Sequence, residues 1–295
     1  MPDARERRLS VMALGSGGPI SNAHRASAGY IVSVDERPRI LVDAGGGIYE
    51  RIGRCGLDLS GIELILLTHM HIDHTSDLPA VVMNAYMRGR GRPIALAGPA
   101  GRAGNDEAPE NASPQPGAKE FVRLLFGPEG AWRYMNTFDG FRIDAFDVPS
   151  DTSDPAIHEV SVGETLRDMG ISICATAVPH GMMPSIAFRV DYGKRSVAFS
   201  GDVSASTEPL IALAKNCSLL VHDFALPQRD VPDGHLHAKP SAVGRTARES
   251  GATMLLLSHF MPAIEDELGQ NVDIVRREYA GKIEIAKDLA TYELP

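Results

Sequence analysis

Cysteine is scarce: Cys55, Cys174 and Cys217 are the three in 295 residues, and no two form a CxxC pair. A set so small and odd makes a poor disulfide framework and fits a reducing compartment. Cys174 and Cys217 sit in apolar, strand-like runs and read as buried packing. Tryptophan is scarcer still, with Trp132 alone. No apolar run reaches the roughly 20 residues of a membrane span. The opening MPDARERRLSV is charged where a secretory leader would be apolar. The expectation is a cytoplasmic protein with no membrane partner. Positive charge is also short. Lysine and arginine total 29 against 38 acids, a net charge of -9. That balance lacks the basic footprint of a nucleic-acid or anionic-membrane binder, and it argues against nucleic acid as a partner.

What is present is an ordinary globular composition, 43% hydrophobic and 23% charged, punctuated by 29 glycines and 20 prolines. Strand-like runs bounded by turn residues recur: LSVMAL, AGYIVSV, RILVDAG and IELILLT in the first half, then ISICATAVPH, SIAFRVDY, RSVAFSGD, CSLLVHDF and TMLLLSHF. KIEIAKDL reads as a last strand. Helices are expected over IYERIGRCG, ended by Gly56, over SDLPAVVMNAYM, over HAKPSAVGRTARESG with Pro240 in its first turn and Gly251 as its stop, and over NVDIVRREYAG. Each half is a run of strands followed by helices. That pattern predicts α+β architecture, two sheets face to face with helices outside, in one domain over residues 1–295. A stretch at about 99–165 reads as an insert. It opens with a Pro- and Gly-rich loop over 99–118 and continues through the helical KEFVRLLF. It then becomes aromatic, with Trp132, Tyr134, Phe138, Phe141 and Phe146. Two roles suit it: a peripheral subdomain or homodimer contact, or an apolar lid shaping a pocket.

The chemistry concentrates at strand ends. After the apolar run IELILL comes THMHIDH, which puts His69, His71, Asp73 and His74 within six residues. A strand fixes its last residue, and a tight turn after it sends several side chains to one side. Neutral imidazole is the commonest transition-metal ligand, with carboxylate as its hard partner. A merely solvated turn seldom has this composition. Other strands end the same way: RILVDAG in Asp43, ATAVPHG in His180, SVAFSGD in Asp202 and MLLLSHF in His259. Any one of these could be a capping residue. Together with HxHxDH they point to a metal centre.

This ordered set, LVDAG, THMHIDH, VPHG, SGD and LSHF, resembles the successive motifs of the metallo-β-lactamase superfamily and spans roughly the whole chain. The resemblance implies a four-layer αββα sandwich with the metals at one edge of the sheets. It implies that His69, His71 and His180 hold one ion, that Asp73, His74 and His259 hold a second, and that Asp202 bridges both. Asp43 would support a ligand from behind. Two divalent ions are implied, with zinc as the default and manganese or iron also suited to all-nitrogen and oxygen donors. Such a pair shares a water, lowers its pKa, and directs the resulting bridging hydroxide at an electrophile. His71 stands where di-iron redox members carry glutamate, so redox chemistry is disfavoured.

Three features resemble the ribonuclease Z-like and arylsulfatase-like branch. LGSGGP followed by HRASAGYIV is similar to its opening; here the glycines read as a turn packed near the site. VHDFAL is similar to its His-Glu motif with Asp223 as the acid, and it brings His222 beside the site. HLHAKPSAVGRTA is similar to its His-Ser-Thr motif. That implies His237 as proton donor to a leaving group, oriented by Asp223, with His235 a plain loop residue. The catalytic set is then Asp73, His237 and Asp223. The branch's tRNA-processing members carry an arm between the third and fourth motifs, whereas here only a hairpin separates His180 from Asp202. The expected function is hydrolysis of a small ester, phosphodiester or aryl sulfate first and lactone or carboxylic ester second. Two other classes stand beside it: a ribonuclease on structured RNA, and a metal-holding protein without turnover.

Overall fold

The structure is a computed structural model and describes residues 7–102, 115–161, 163–232 and 234–295. Most of the loop expected over 99–118, and the first residues of the charged N-terminus, lie outside the described residues.

The strands run in chain order as β1 Leu9–Gly15, β2 Gly29–Val34, β3 Arg37–Val42, β4 Leu64–Leu66, β5 Ile94–Pro99, β6 Ile143–Val148, β7 His158–Glu159, β8 Ile171–Val178, β9 Ser185–Tyr192, β10 Arg195–Phe199, β11 Leu219–Asp223, β12 Met254–Ser258, β13 Lys282–Ile285 and β14 Thr291–Glu293. Among the described residues they form two seven-stranded sheets, ordered β14-β1-β2-β3-β4-β5-β6 and β13-β12-β11-β10-β9-β8-β7. Each sheet is antiparallel at one end and parallel at the other. Parallel pairing runs from β3 to β6 in the first sheet and from β10 to β13 in the second.

The pleat explains the layering. Successive strand residues face opposite sides. In β2, Tyr30, Val32 and Val34 join the large core that includes the space between the sheets, while Ile31 joins a second cluster on the outer face of the first sheet. Leu64 and Leu66 against Ile65 in β4 repeat the division. The helices Ile48–Cys55, Leu78–Met87 and Ala118–Phe126 cover that outer face through Ile48, Ile52, Leu78, Val82 and Phe126. The helices Glu208–Leu213, Pro240–Ser250 and Leu268–Glu278 cover the second sheet through Leu210, Val243, Ala247, Val272 and Val275. The result is the expected four-layer αββα sandwich. Helix Pro240–Ser250 starts on proline and ends at Gly251 with φ 69°, as its sequence predicts.

Two expectations need correcting. KIEIAKDL is not the last strand: only Lys282–Ile285 is extended there, and β14 returns to pair with β1 in the first sheet. The aromatics of the expected insert do not form a lid. Residues 99–165 supply β6 to one sheet and β7 to the other. Phe126 and Phe141 meet edge to face at 5.7 Å, Phe141 and Tyr86 are tilted at 5.0 Å, and Phe138 packs on the same outer cluster. Phe126, Phe138 and Phe141 cover the back of the first sheet because the helix and strand on either side of them are built into that layer.

Candidate metal centre

The C-terminal ends of the parallel strands share one edge of each sheet, and the motif residues follow those ends. After β4 the chain keeps one more rung, Leu67 N–H to Ala97 O at 2.8 Å, then turns. His71 is the extended N-cap (φ −63°, ψ 151°) of the short helix Ile72–Thr75, so Asp73 and His74 swing inward over one helical turn. The turn is pinned to the end of β3 by Ala44 N–H to His74 O at 2.7 Å. The sheets are joined here by Ile186 N–H to Thr68 O at 3.0 Å and by the buried Tyr30–Ser258 hydroxyl pair at 2.6 Å. Asp43 and His259 both take left-handed backbone, φ 57° and φ 63°. Non-glycine residues rarely hold that conformation unless the surroundings enforce it.

Three groups of donors converge, each with atoms within 4.8 Å of one another. His69, His71, His180 and Asp202 form the first, and Asp73, His74, Asp202 and His259 the second. Asp202, Asp223, His237 and His259 form the third, so Asp202 is common to all. The first two groups bring together the residues of the two ligand sets that the motifs implied, with Asp202 in both. His71 Nδ1 lies 2.9 Å from His69 Nε2 and 3.2 Å from His180 Nε2. His74 Nε2 lies 3.2 Å from His259 Nε2.

The outer hydrogen bonds fix which nitrogen faces inward. His180 Nδ1 donates to Leu236 O at 2.9 Å, and His74 Nδ1 donates to Asp43 Oδ2 at 2.8 Å. Thr68 donates its hydroxyl to Asp43 at 2.9 Å and so accepts from His69 Nδ1 at 3.1 Å. Each ring is thereby turned with Nε2 toward the cluster, the orientation metal-binding imidazoles need. Burial holds His69, His71 and His180 below the usual histidine range, reinforced by neighbouring imidazoles. Three neutral rings with lone pairs this close repel one another unless a cation lies between them. His74 and His259 go the other way: burial opposes their charge, but Asp202 with Asp43 or Asp73 outweighs it and raises both. Asp202 is held well below the carboxylate range, because His259, His74 and His69 overcome its burial. The donor set therefore fits two divalent ions.

His237 and Asp223 meet at the edge of this centre, with Nδ1 to Oδ2 at 2.7 Å. Burial works against a charge on His237, yet the Asp223 carboxylate wins and pushes the imidazole up to about 9. His222 belongs to none of the three donor groups. In β11, Val221 and Asp223 share one face, so His222 between them points to the other, beside its pair Leu257. Its Nδ1 bonds Asp223 O at 2.8 Å, and its buried Nε2 has no partner among the described residues. His235 lines a separate cleft with Arg229 and Lys239.

Sequence reasoning gave no role to Thr68, to Leu236 or to Gly18 individually. Thr68 ties Asp43 to His69, and only its place before His69 could have marked it. Leu236 acts through its backbone carbonyl, which no sequence pattern reveals. Gly18 is explained by contact: a Cβ there would lie 2.9 Å from His259 Cε1. The glycine turn therefore does pack against the site.

Known proteins agree with this geometry. The family model described as "Beta-lactamase superfamily domain" matches residues 38–260. A protein named Ribonuclease Z from Mycobacterium avium (strain 104) is 30% identical over 296 residues, covering 95% of this chain and 96% of its own. The solved short form of human tRNase Z (ELAC1) superposes with a TM-score of 0.71 at 20% identity, over 97% of this chain and 99% of that one. A diphosphatase from the PhnP family does so at 0.66 and 18%, over 98% of each chain. At those identities the two structures speak for the fold. Motif order, sandwich and donor sets converge with the matched span on one conclusion: this chain belongs to the beta-lactamase superfamily and is a metal-dependent hydrolase of that fold.

Proposed function

We propose that this hydrolase cleaves phosphodiester bonds, with His237 as the proton donor to the departing oxygen. The observation that carries the reading is the His237–Asp223 pair, 2.7 Å apart and set against the donor cluster that holds Asp202. A phosphodiester expels an alkoxide or phenoxide, a poor leaving group that benefits from an acid. Opening a lactone or β-lactam needs one less. The names of the relatives, Ribonuclease Z and a PhnP-family diphosphatase, lend support.

Two divalent ions, zinc by default, would be held by His69, His71, His180 and Asp202 and by Asp73, His74, His259 and Asp202; they would supply Lewis acidity and an activated water. The chain's own residues do the rest. Asp73 and Asp202 bring negative charge that offsets the cations. Asp43 and Thr68 hold His74 and His69 in the ligating orientation. Asp223 accepts from His237 Nδ1, which leaves Nε2–H free to protonate the leaving oxygen.

A small phosphodiester is the first reading, because the net charge of -9 gives a polyanion little to hold. A ribonuclease reading stands second on the name of the Mycobacterium relative. The test is a turnover panel on metal-quantified protein: bis-aryl phosphate, aryl sulfate, aryl carboxylate, lactone and a structured RNA, each with and without chelator. A chelator-sensitive preference for the phosphate supports the proposal. A preference for sulfate, carboxylate or lactone overturns it in favour of that ester, and efficient RNA cleavage with only slow bis-aryl phosphate turnover moves the substrate to RNA.

A further inference from the structure

A cleft of about 620 Å3 opens beside the metal centre, with His180 in its wall. That is within the 300–1,000 Å3 range usual for small-molecule sites. One wall is the turn after β8. Met183 N–H closes it on His180 O at 3.1 Å, and Gly181 takes φ 57° against Leu236, the residue whose carbonyl orients His180. The turn that aims a metal donor therefore also sets Met182 and Met183 at the cleft. Met182 is 51% exposed, so its thioether is open to a ligand in the cleft. The opposite wall runs through Pro149 and Asp151 and is tied to the end of β5 by Ala100 N–H to Val148 O at 2.7 Å and Ser150 Oγ to Ala100 O at 2.9 Å.

The lining has little charge to offer a polyanion. Arg102 is the one lysine or arginine among the described lining residues, which also include the carboxylates of Asp147 and Asp151. Both acids are partly engaged at home: Asp147 Oδ1 accepts from Lys119 N at 2.9 Å, and Asp151 Oδ1 accepts from the Ser153 amide at 2.8 Å and hydroxyl at 2.7 Å. Beside Ser150, Thr152 and His180, the lining offers the thioethers of Met182 and Met183 and the rings of Pro149, Pro179 and Pro184, and thioethers favour aromatic rings through sulfur–ring contact.

We propose that this cleft holds the organic group that stays on phosphorus during hydrolysis, that the group is uncharged and aromatic-faced, of aryl or nucleoside size, and that Met182 and Met183 determine the preference for it. The proposal rests on the phosphodiester reading above. It names a subsite and two specificity residues outside the donor sets.

Metal-loaded protein would be given three diesters sharing one p-nitrophenolate leaving group, with methyl, phenyl or thymidine-5′ as the retained group. Phenyl and thymidine-5′ are expected to exceed methyl in kcat/KM by about three- to tenfold, the size of one or two sulfur–aromatic contacts, with the gain in KM. In the M182S/M183S variant that ratio is expected to collapse toward one, while Met182→Leu, which keeps the apolar bulk but loses one thioether, is expected to give an intermediate ratio. Equal kcat/KM for the three diesters in the wild type, or an unchanged ratio in M182S/M183S, would overturn the subsite. A melting curve would verify that each variant is folded. Calorimetric binding of thymidine 5′-monophosphate to the same proteins judges the cleft independently of turnover. If no diester is cleaved but the nucleotide still binds more weakly to M182S/M183S, the phosphodiester reading fails and the aromatic subsite stands. Equal affinity for wild type and variant sinks the subsite as well.

Discussion

His237 Nδ1 lies 2.7 Å from Asp223 Oδ2, and the same carboxylate accepts the amide hydrogens of Ala225 at 3.1 Å and Val203 at 3.3 Å. Two backbone amides thus hold Asp223 in place, and Asp223 holds the imidazole. Its other oxygen is 3.7 Å from His259 Nδ1, so the pair abuts the metal donors without belonging to either implied ligand set.

His237→Ala is expected to keep both metal ions, measured by elemental analysis, and to slow esters with poor leaving groups by about 10²–10⁴-fold, the usual worth of a general acid. p-Nitrophenolate esters should slow far less. Equal slowing across leaving groups would refute the proton-donor role.

The pH dependence of that step has a definite sign. The Asp223 carboxylate raises His237 to about 9, so the donor is protonated at neutral pH and is lost as pH rises through that value. Asp223→Asn removes the charge but leaves the burial, which alone disfavours the protonated ring. The alkaline limb of kcat/KM for a poor leaving group should therefore move to lower pH in the variant. A pH profile that does not move would count against the pair.

Asp202 is the donor common to both implied ligand sets. Asp202→Ala is expected to reduce the metal content below two ions per chain and to abolish nearly all hydrolysis. Full occupancy with normal turnover would refute the bridging role.

Metal loading is expected to release protons at pH 7. His74 is raised well above the usual histidine range in the metal-free protein, by Asp202 and Asp43 against its burial, so it must give up a proton to ligate. Affinity should fall as pH falls. Calorimetric titration with zinc in buffers of different ionisation enthalpy reads the proton count directly, and a count of zero would show that the ligands are already neutral.

Gly45 has a steric task. A Cβ there would lie 2.0 Å from the backbone oxygen of Asp73, so Gly45→Ala must displace the turn that carries Asp73 and His74. Overpacking of this kind costs about 1–3 kcal/mol. A lower Tm together with weaker metal retention is the expected outcome; a lower Tm with unchanged metal affinity would mean the turn is less rigid than its contacts imply.

The sequence by itself determined most of the strands, the layering and the candidate donor residues, for a local physical reason. Apolar runs of strand length announce burial, and a histidine or aspartate straight after such a run falls at a sheet edge whatever lies around it. His69, His71, Asp73, His74, His180, Asp202 and His259 all stand at or just after such runs and are legible without any tertiary information. Asp223 and His237 were legible only through resemblance, because fourteen residues separate them in the chain. Tertiary structure alone decided the rest. Strand alternation and pairing turned His222 away from its neighbour Asp223. The return of β14 to the first sheet and the packing of the aromatic segment against that sheet's back depend on contacts distant in sequence. The outer partners of the ligands, the Leu236 carbonyl, the Thr68 hydroxyl and the space kept by Gly18, exist only once separate segments meet at one edge of the sandwich.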